Sequence, residues 1–164
     1  MNFRRLSRVA AVIFLVPLIA ACGSWKLPNF ANFNWPEMLL VASPGANVNS
    51  PVAFDVVFIR DSDVAMVEKV SALSAAKWFA SRSEFSKTFP TVVSYKSWEV
   101  APGQTIKIPG AVFDSFGSPR VVAVFLFADY LTPGDHRVRA DQLQNKIVVQ
   151  LGPKGFAVTT DKNE

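Results

Sequence analysis

The sequence is poor in the side chains that carry out chemistry. Its 164 residues include one cysteine, Cys22, and one histidine, His136. A lone cysteine has no disulfide partner in its own chain. A structural zinc site takes four nitrogen or sulfur ligands, which these two residues do not supply. A serine hydrolase needs a base; only His136 is available, and no serine sits in a nucleophile-elbow pattern. His136 follows a Pro-Gly turn and reads as an exposed turn residue. Asp61 and Asp63 lack the further carboxylates of a calcium loop and read as helix caps. No glycine-rich loop is built to cradle a phosphate. No dense Lys/Arg stripe marks a nucleic-acid footprint; the nearest run, His136-Arg137-Val138-Arg139, alternates like a strand. No local pattern marks a catalytic pair of acids. The expectation is a protein that is not an enzyme, without metal, cofactor, nucleic acid or small-molecule substrate.

What is present begins at the N-terminus. Arg4, Arg5 and Arg8 precede an almost purely apolar run over residues 9–21. That run is shorter than the roughly 20 residues of a spanning helix and has the length of a signal-peptide core. It ends in Ile19-Ala20-Ala21-Cys22-Gly23, which resembles the lipobox of bacterial lipoproteins. The resemblance implies cleavage before Cys22, with a covalent lipid on its thiol and acylation of the new amino terminus. Several acyl chains at about 0.8 kcal/mol per buried methylene give firm anchoring. Gly23 stands where an aspartate would suggest retention at the inner membrane, so the implied address is the outer membrane, with the domain in the periplasm. Removing residues 1–21 leaves 164 − 21 = 143 residues, and the charge balance drops from 17 against 13 to 14 against 13. The mature chain is therefore nearly neutral and of single-domain size. No second apolar segment is long enough to cross a bilayer.

Residues 22–36 read as a tether, because prolines and asparagines break both helical and strand periods. Its aromatics, Trp25, Phe30, Phe33 and Trp35, suit either lipid headgroups or packing on the domain. Residues 37–164 read as a mainly β domain, a two-sheet sandwich of seven to eight strands with a helical insert after the second. Strands are expected at 38–42, 52–60, 91–100, 105–108, 121–127, 146–151 and 156–160. In the second, Val52, Phe54, Val56 and Phe58 share one face, and Ala53, Asp55 and Val57 the other. Residues 121–127 are apolar throughout, as in a central strand buried on both sides. Phe54, Val56, Phe58, Val124 and Leu126 are expected core. Between strands two and three, 64–80 favours helix, with a break near Ser71 and Ser74. Ser81-Arg82-Ser83-Glu84 looks like a capping box opening a further turn. Ala101-Pro102-Gly103-Gln104 fits a type II turn. Residues 109–119 read as a Gly/Pro-rich loop, and Gly152-Pro153-Lys154-Gly155 as a hairpin turn.

Five segments in this order resemble the TssJ family of type VI secretion lipoproteins. They are the lipobox, the stretch from Leu40 through Ser43-Pro44-Gly45-Ala46-Asn47-Val48-Asn49-Ser50-Pro51 into the second strand, the insert Trp78-Phe79-Ala80-Ser81-Arg82-Ser83-Glu84-Phe85, the turn Val100-Ala101-Pro102-Gly103-Gln104-Thr105, and the strand Val122-Ala123-Val124-Phe125-Leu126-Phe127-Ala128-Asp129-Tyr130. Gln104 departs from the acid common at that turn. The resemblance implies an outer-membrane structural component of a type VI secretion membrane complex. Its partner is the periplasmic domain of an inner-membrane TssM/IcmF-like protein, met mainly by the loop between the first two strands: Ser43, Pro44, Gly45, Ala46, Asn47, Val48, Asn49 and Ser50. That loop exceeds the two to five residues of a hairpin loop. Pro44 and Pro51 restrict its ends, Gly45 permits a bend, Asn47 and Asn49 offer hydrogen bonds, and Val48 is a candidate apolar anchor. The rival expectation, a pilotin- or chaperone-like lipoprotein, calls for a hydrophobic cleft.

Overall fold

The computed structural model describes Ala31 and residues 34–60, 64–116 and 121–161. The leader, Cys22 and the Asp61-Ser62-Asp63 caps lie outside the described residues.

The alternation in residues 52–60 sets the architecture. Strand β2 (Val52–Arg60) is buried along nearly its whole length. Its partners are β3 (Val93–Val100) and β5 (Val121–Asp129), both antiparallel, with Phe54 opposite Trp98 and Ala128. Val52, Phe54, Val56 and Phe58 face the second sheet, together with Val124 and Leu126. Val57, Ile59, Ala123, Phe125 and Phe127 face outward, beneath the helices. Phe54, Val56, Phe58, Val124 and Leu126 are all fully buried. The second sheet is built on β1 (Glu37–Ala42), which pairs antiparallel with β4 (Thr105–Pro109) and parallel with β7 (Lys146–Leu151). The short β6 (Arg137–Arg139) borders β5, and β8 (Phe156–Asp161) forms a hairpin with β7. The described residues thus form two four-stranded sheets, in orders β4-β1-β7-β8 and β3-β2-β5-β6. Met38, Leu40, Ile147, Val149 and Leu151 close the inter-sheet core from the other side.

The insert forms two helices, α1 (Val64–Ser71) and α2 (Ala75–Thr88). The break falls where the serines predict it: Ser74 caps α2, its hydroxyl accepting from the Lys77 N–H at 3.4 Å. Ser81 does not open a new turn. It lies inside α2, and its hydroxyl donates back to the Lys77 carbonyl at 2.7 Å, an i−4 bond that a mid-helix serine makes readily. The insert covers the outward face of β2 and β5 because Asp55 reaches up to it. Asp55 is fully buried. Its carboxylate accepts from Trp78 Nε1 at 2.9 Å, from Arg82 Nη1 at 2.9 Å on both oxygens, and from Ser97 Oγ at 2.6 Å. Trp78 stacks on Phe127 with centroids 5.3 Å apart and meets Tyr95 edge-on. The Arg82 guanidinium lies 4.7 Å from the Phe79 centroid.

Residues 109–116 of the expected 109–119 loop carry more structure than their composition suggests; 117–119 lie outside the described residues. Ala111–Asp114 form a one-turn helix, α3. Phe113 there is buried against Trp35 and Phe58, and Phe116 stacks on Phe58 at 4.7 Å. The Gly and Pro content masks these aromatics, whose burial between the sheets determines the local path. Gly110 is required at this point: a Cβ there would lie 2.3 Å from the Trp35 carbonyl oxygen. The type II turn is as expected, with Gly103 at φ +77 and Gln104 N–H donating to the Ala101 carbonyl.

Replacing Asp55 with alanine strands the Trp78 indole N–H and the Ser97 hydroxyl and unpairs Arg82. Loss of a buried charge-assisted cluster of this kind costs about 3 kcal/mol. Urea denaturation of the mature protein in detergent is expected to show that loss, and a variant within about 0.5 kcal/mol of the parent would contradict it.

Candidate functional site

The strands run between two distinct poles. At one stand the first described residues, Ala31 and Asn34. Ala31 N–H donates to Val121 carbonyl, Asn34 bridges Gln144, and Asn145 N–H donates to Asn34 carbonyl. Trp35 is buried, and its indole donates to Leu143 carbonyl at 2.7 Å. Of the tether aromatics, Trp35 therefore packs on the domain; Trp25, Phe30 and Phe33 lie outside the described residues. Glu37 begins β1 here, paired with Lys107 and Lys146. The hydrogen bond from Lys107, helped by Lys146 and opposed by burial, holds its carboxyl below the ordinary 4.5. From Cys22 to Ala31 is nine residues, at most about 30 Å of extended chain.

β1 then carries the chain about 20 Å to the opposite pole, where residues 43–50 stand. Its end is fixed there by Ser43 N–H to Leu151 carbonyl and Gly103 N–H to Ser43 carbonyl. β1 and β2 belong to different sheets, so this segment is a crossing between sheets and not a hairpin. The crossing alone accounts for its length. Its bend is not at Gly45, whose φ of −98 is ordinary. It lies instead in three consecutive left-handed residues, Asn47 (φ 47), Val48 (φ 57) and Asn49 (φ 60). For a β-branched residue such as Val48 that conformation costs roughly 1–2 kcal/mol.

Asn47 holds the bend. It is buried, its Nδ2 donates to Pro51 carbonyl at 2.8 Å, and its Oδ1 accepts from Leu131 N–H at 2.7 Å. Its own N–H donates to Gly152 carbonyl. Ala46 is buried as well. These two side chains support the loop from within, while Pro44, Val48 and Asn49 are exposed and Ser43, Gly45 and Ser50 are half-buried. The buried Ser43 hydroxyl has no hydrogen-bond partner. It borders an open, mainly apolar cleft of about 530 Å³ lined by Val41, Leu151, Pro153 and Phe156.

Two further loops complete this pole. Tyr130 OH donates to Gly155 carbonyl at 2.8 Å, and Thr132 Oγ1 to Lys154 carbonyl. Burial pushes the Tyr130 phenol up to about 12, though even at its ordinary value it is a donor at neutral pH. His136 is half-buried and not exposed: its ring lies on Tyr130 at 4.7 Å, with Nε2 2.8 Å from the Thr132 carbonyl. No group of three or more His, Cys, Asp or Glu that would hold a metal occurs among the described residues. Sequence reasoning missed the role of residues 130–136, since a Thr-Pro-Gly turn does not reveal what the turn touches.

Asn47→Ala removes three side-chain bonds, to Pro51, Leu131 and, at 3.5 Å, Asp129, and leaves those backbone groups short of partners. The expected cost is about 1–3 kcal/mol, read as a lowered urea midpoint for the mature protein in detergent; an unchanged midpoint would show that the bend holds itself.

No family model matches the chain, and no curated protein does. Solved structures do. The T6SS lipoprotein TssJ1 from Pseudomonas aeruginosa is 15% identical, aligned over 78% of this chain and 96% of that one, with a TM-score of 0.53. A chain of a type VI membrane complex is 13% identical over 75% and 95%, with a TM-score of 0.53. A chain in the structure of the T6SS protein TssM C-terminal domain (869–1107) from EAEC is 11% identical over 76% and 97%, with a TM-score of 0.51. At these identities the likeness is one of fold. This chain, with its two four-stranded sheets and helices after the second strand, has a TssJ-type fold.

Proposed function

We propose that this protein is an outer-membrane lipoprotein and a structural component of a type VI secretion membrane complex. Acyl chains on Cys22 hold it to the outer membrane, and residues 43–50 bind the periplasmic domain of an inner-membrane TssM/IcmF-like protein. Its work is mechanical linkage, not catalysis. The observation that carries this reading is the polarity of the sandwich. The tether ends at one pole, where Trp35 and Ala31 are bonded to the domain. The strained, outward-facing turn at 47–49 stands at the other. A molecule built in this way has its anchor and its contact surface on opposite sides, as a linker between two membranes requires. Strain retained in an exposed turn is a common mark of a binding site, and an internally bonded loop loses little freedom when it docks. The TssJ-type fold and its occurrence in membrane-complex structures add support.

Two outcomes are expected. Cys22→Ser shifts the protein from the outer-membrane fraction to the soluble periplasmic fraction or to uncleaved precursor; mature Cys22→Ser protein found in the outer membrane contradicts the lipid anchor. Val48→Asp places a charge at the centre of the contact and lowers affinity for the TssM-like periplasmic domain by about tenfold or more. Calorimetric titration of the detergent-solubilised lipoprotein measures it, and an unchanged affinity moves the interface off this loop.

A further inference from the structure

Among the described residues, two large hydrophobic side chains are exposed: Val48 at 59% and Leu131 at 71%. They are far apart in sequence and belong to different loops, yet one side chain fixes both. Asn47, which precedes Val48, accepts the Leu131 N–H on its Oδ1 at 2.7 Å. Scattered exposed aliphatics need no explanation; a pair joined through a buried asparagine at one pole is not scattered. We infer that Val48 and Leu131 form one two-part apolar anchor, and that the partner's periplasmic domain presents an apolar recess receiving both. The inference rests on the linker reading above and adds to it a second contact, from the β5–β6 connection.

Each half is held ready. Val48 is set outward by the left-handed run, a conformation that would relax were it not tied down by Asn47. Leu131 lies between Tyr130, bonded to Gly155, and Thr132, bonded to Lys154 and to the His136 ring. The far end of its loop is fixed to the helical insert, where Ala75 N–H donates to Asp135 carbonyl at 2.8 Å. Ordering these side chains on binding therefore costs little.

The occupant follows from position and charge. Ala31 and Asn34, the first described residues, are bonded to the domain at the opposite pole, so the anchor faces away from the side on which the N-terminal chain joins the domain. Around the anchor, Asp129, Asp135, Arg137 and Lys154 carry two charges of each sign, with Asp135 paired to Arg137 at 3.8 Å, which gives an anionic bilayer nothing to prefer. A protein approaching from the periplasmic side fits this surface.

The test is a double-mutant cycle on the mature lipoprotein in detergent micelles, titrated with the TssM-like periplasmic domain of the same cell. Val48→Ser and Leu131→Ser each remove an exposed aliphatic group and leave Asn47 in place, so neither is expected to lower the thermal midpoint, and relief of the β-branched strain at Val48 raises it slightly in Val48→Ser. Each is expected to weaken binding about tenfold. The double variant is expected to lose less than the product of the two. Parental affinity in Leu131→Ser, alongside weakened binding in Val48→Ser, overturns the two-part anchor and leaves the linker reading intact. Absence of binding by the unaltered lipoprotein overturns both. A change in self-association, or in vesicle binding by the Cys22→Ser protein, that accompanies Leu131→Ser without loss of partner affinity overturns the assignment of the occupant.

Discussion

The buried carboxylate of Asp55 ties the helical insert to the sheet it covers. Asp55 lies in the middle of β2, where neighbours on both faces are apolar. An unpaired charge there would be far too costly to keep. Arg82, Trp78 and Ser97 meet it at 2.6 to 2.9 Å, and two of these come from the helical insert. The insert is weakly amphipathic and interrupted by Lys77, so hydrophobic patterning alone gives it little direction. The carboxylate supplies that direction. Once α2 is seated, Trp78 fills the space above Phe127, and α1 follows with Met66 and Val70 buried.

Seating the insert has consequences at the distal pole. The start of α2 receives the Asp135 carbonyl, and Arg137 donates to the Leu73 carbonyl at the end of the α1–α2 link. The β5–β6 connection is thereby fixed from one side by the insert and from the other by the β7–β8 turn. Asn47 then reaches this fixed connection at Leu131. A chain of ordinary hydrogen bonds therefore runs from the outer face of one sheet to the loop crossing from the other. The strained turn persists because its surroundings are rigid, and the internal bonds offset the cost of the left-handed residues.

Much of the fold was legible in the residues. Period-2 alternation in 52–60, continuous apolarity in 121–127 and the Pro-Gly turns gave strands whose ends agree with the structure to within two residues, the third beginning at Val93 and not at Thr91, while the short β6 was not expected. The serines at 71 and 74 placed the helix break. Where the reading failed, a longer-range contact was responsible. Ser81 looked like a cap because its spacing to Glu84 is right, but packing of Trp78 and Phe85 carries the helix through it. Residues 109–119 looked like plain loop because their aromatics find partners only across the core. Residues 43–50 looked like an overlong hairpin loop because sequence cannot say that β1 and β2 lie in different sheets.

The sequence by itself determined the mainly β class, the position of the helical insert and the scarcity of cysteine and histidine. These follow from local composition and short periods, which each segment carries alone. Tertiary structure decided that β1 pairs in parallel with β7, that Asn47 turns inward while Val48 turns outward, and that Leu131 stands beside them. Those choices depend on hydrogen bonds spanning more than 80 residues, whose ends are brought together only when the two sheets close over one another.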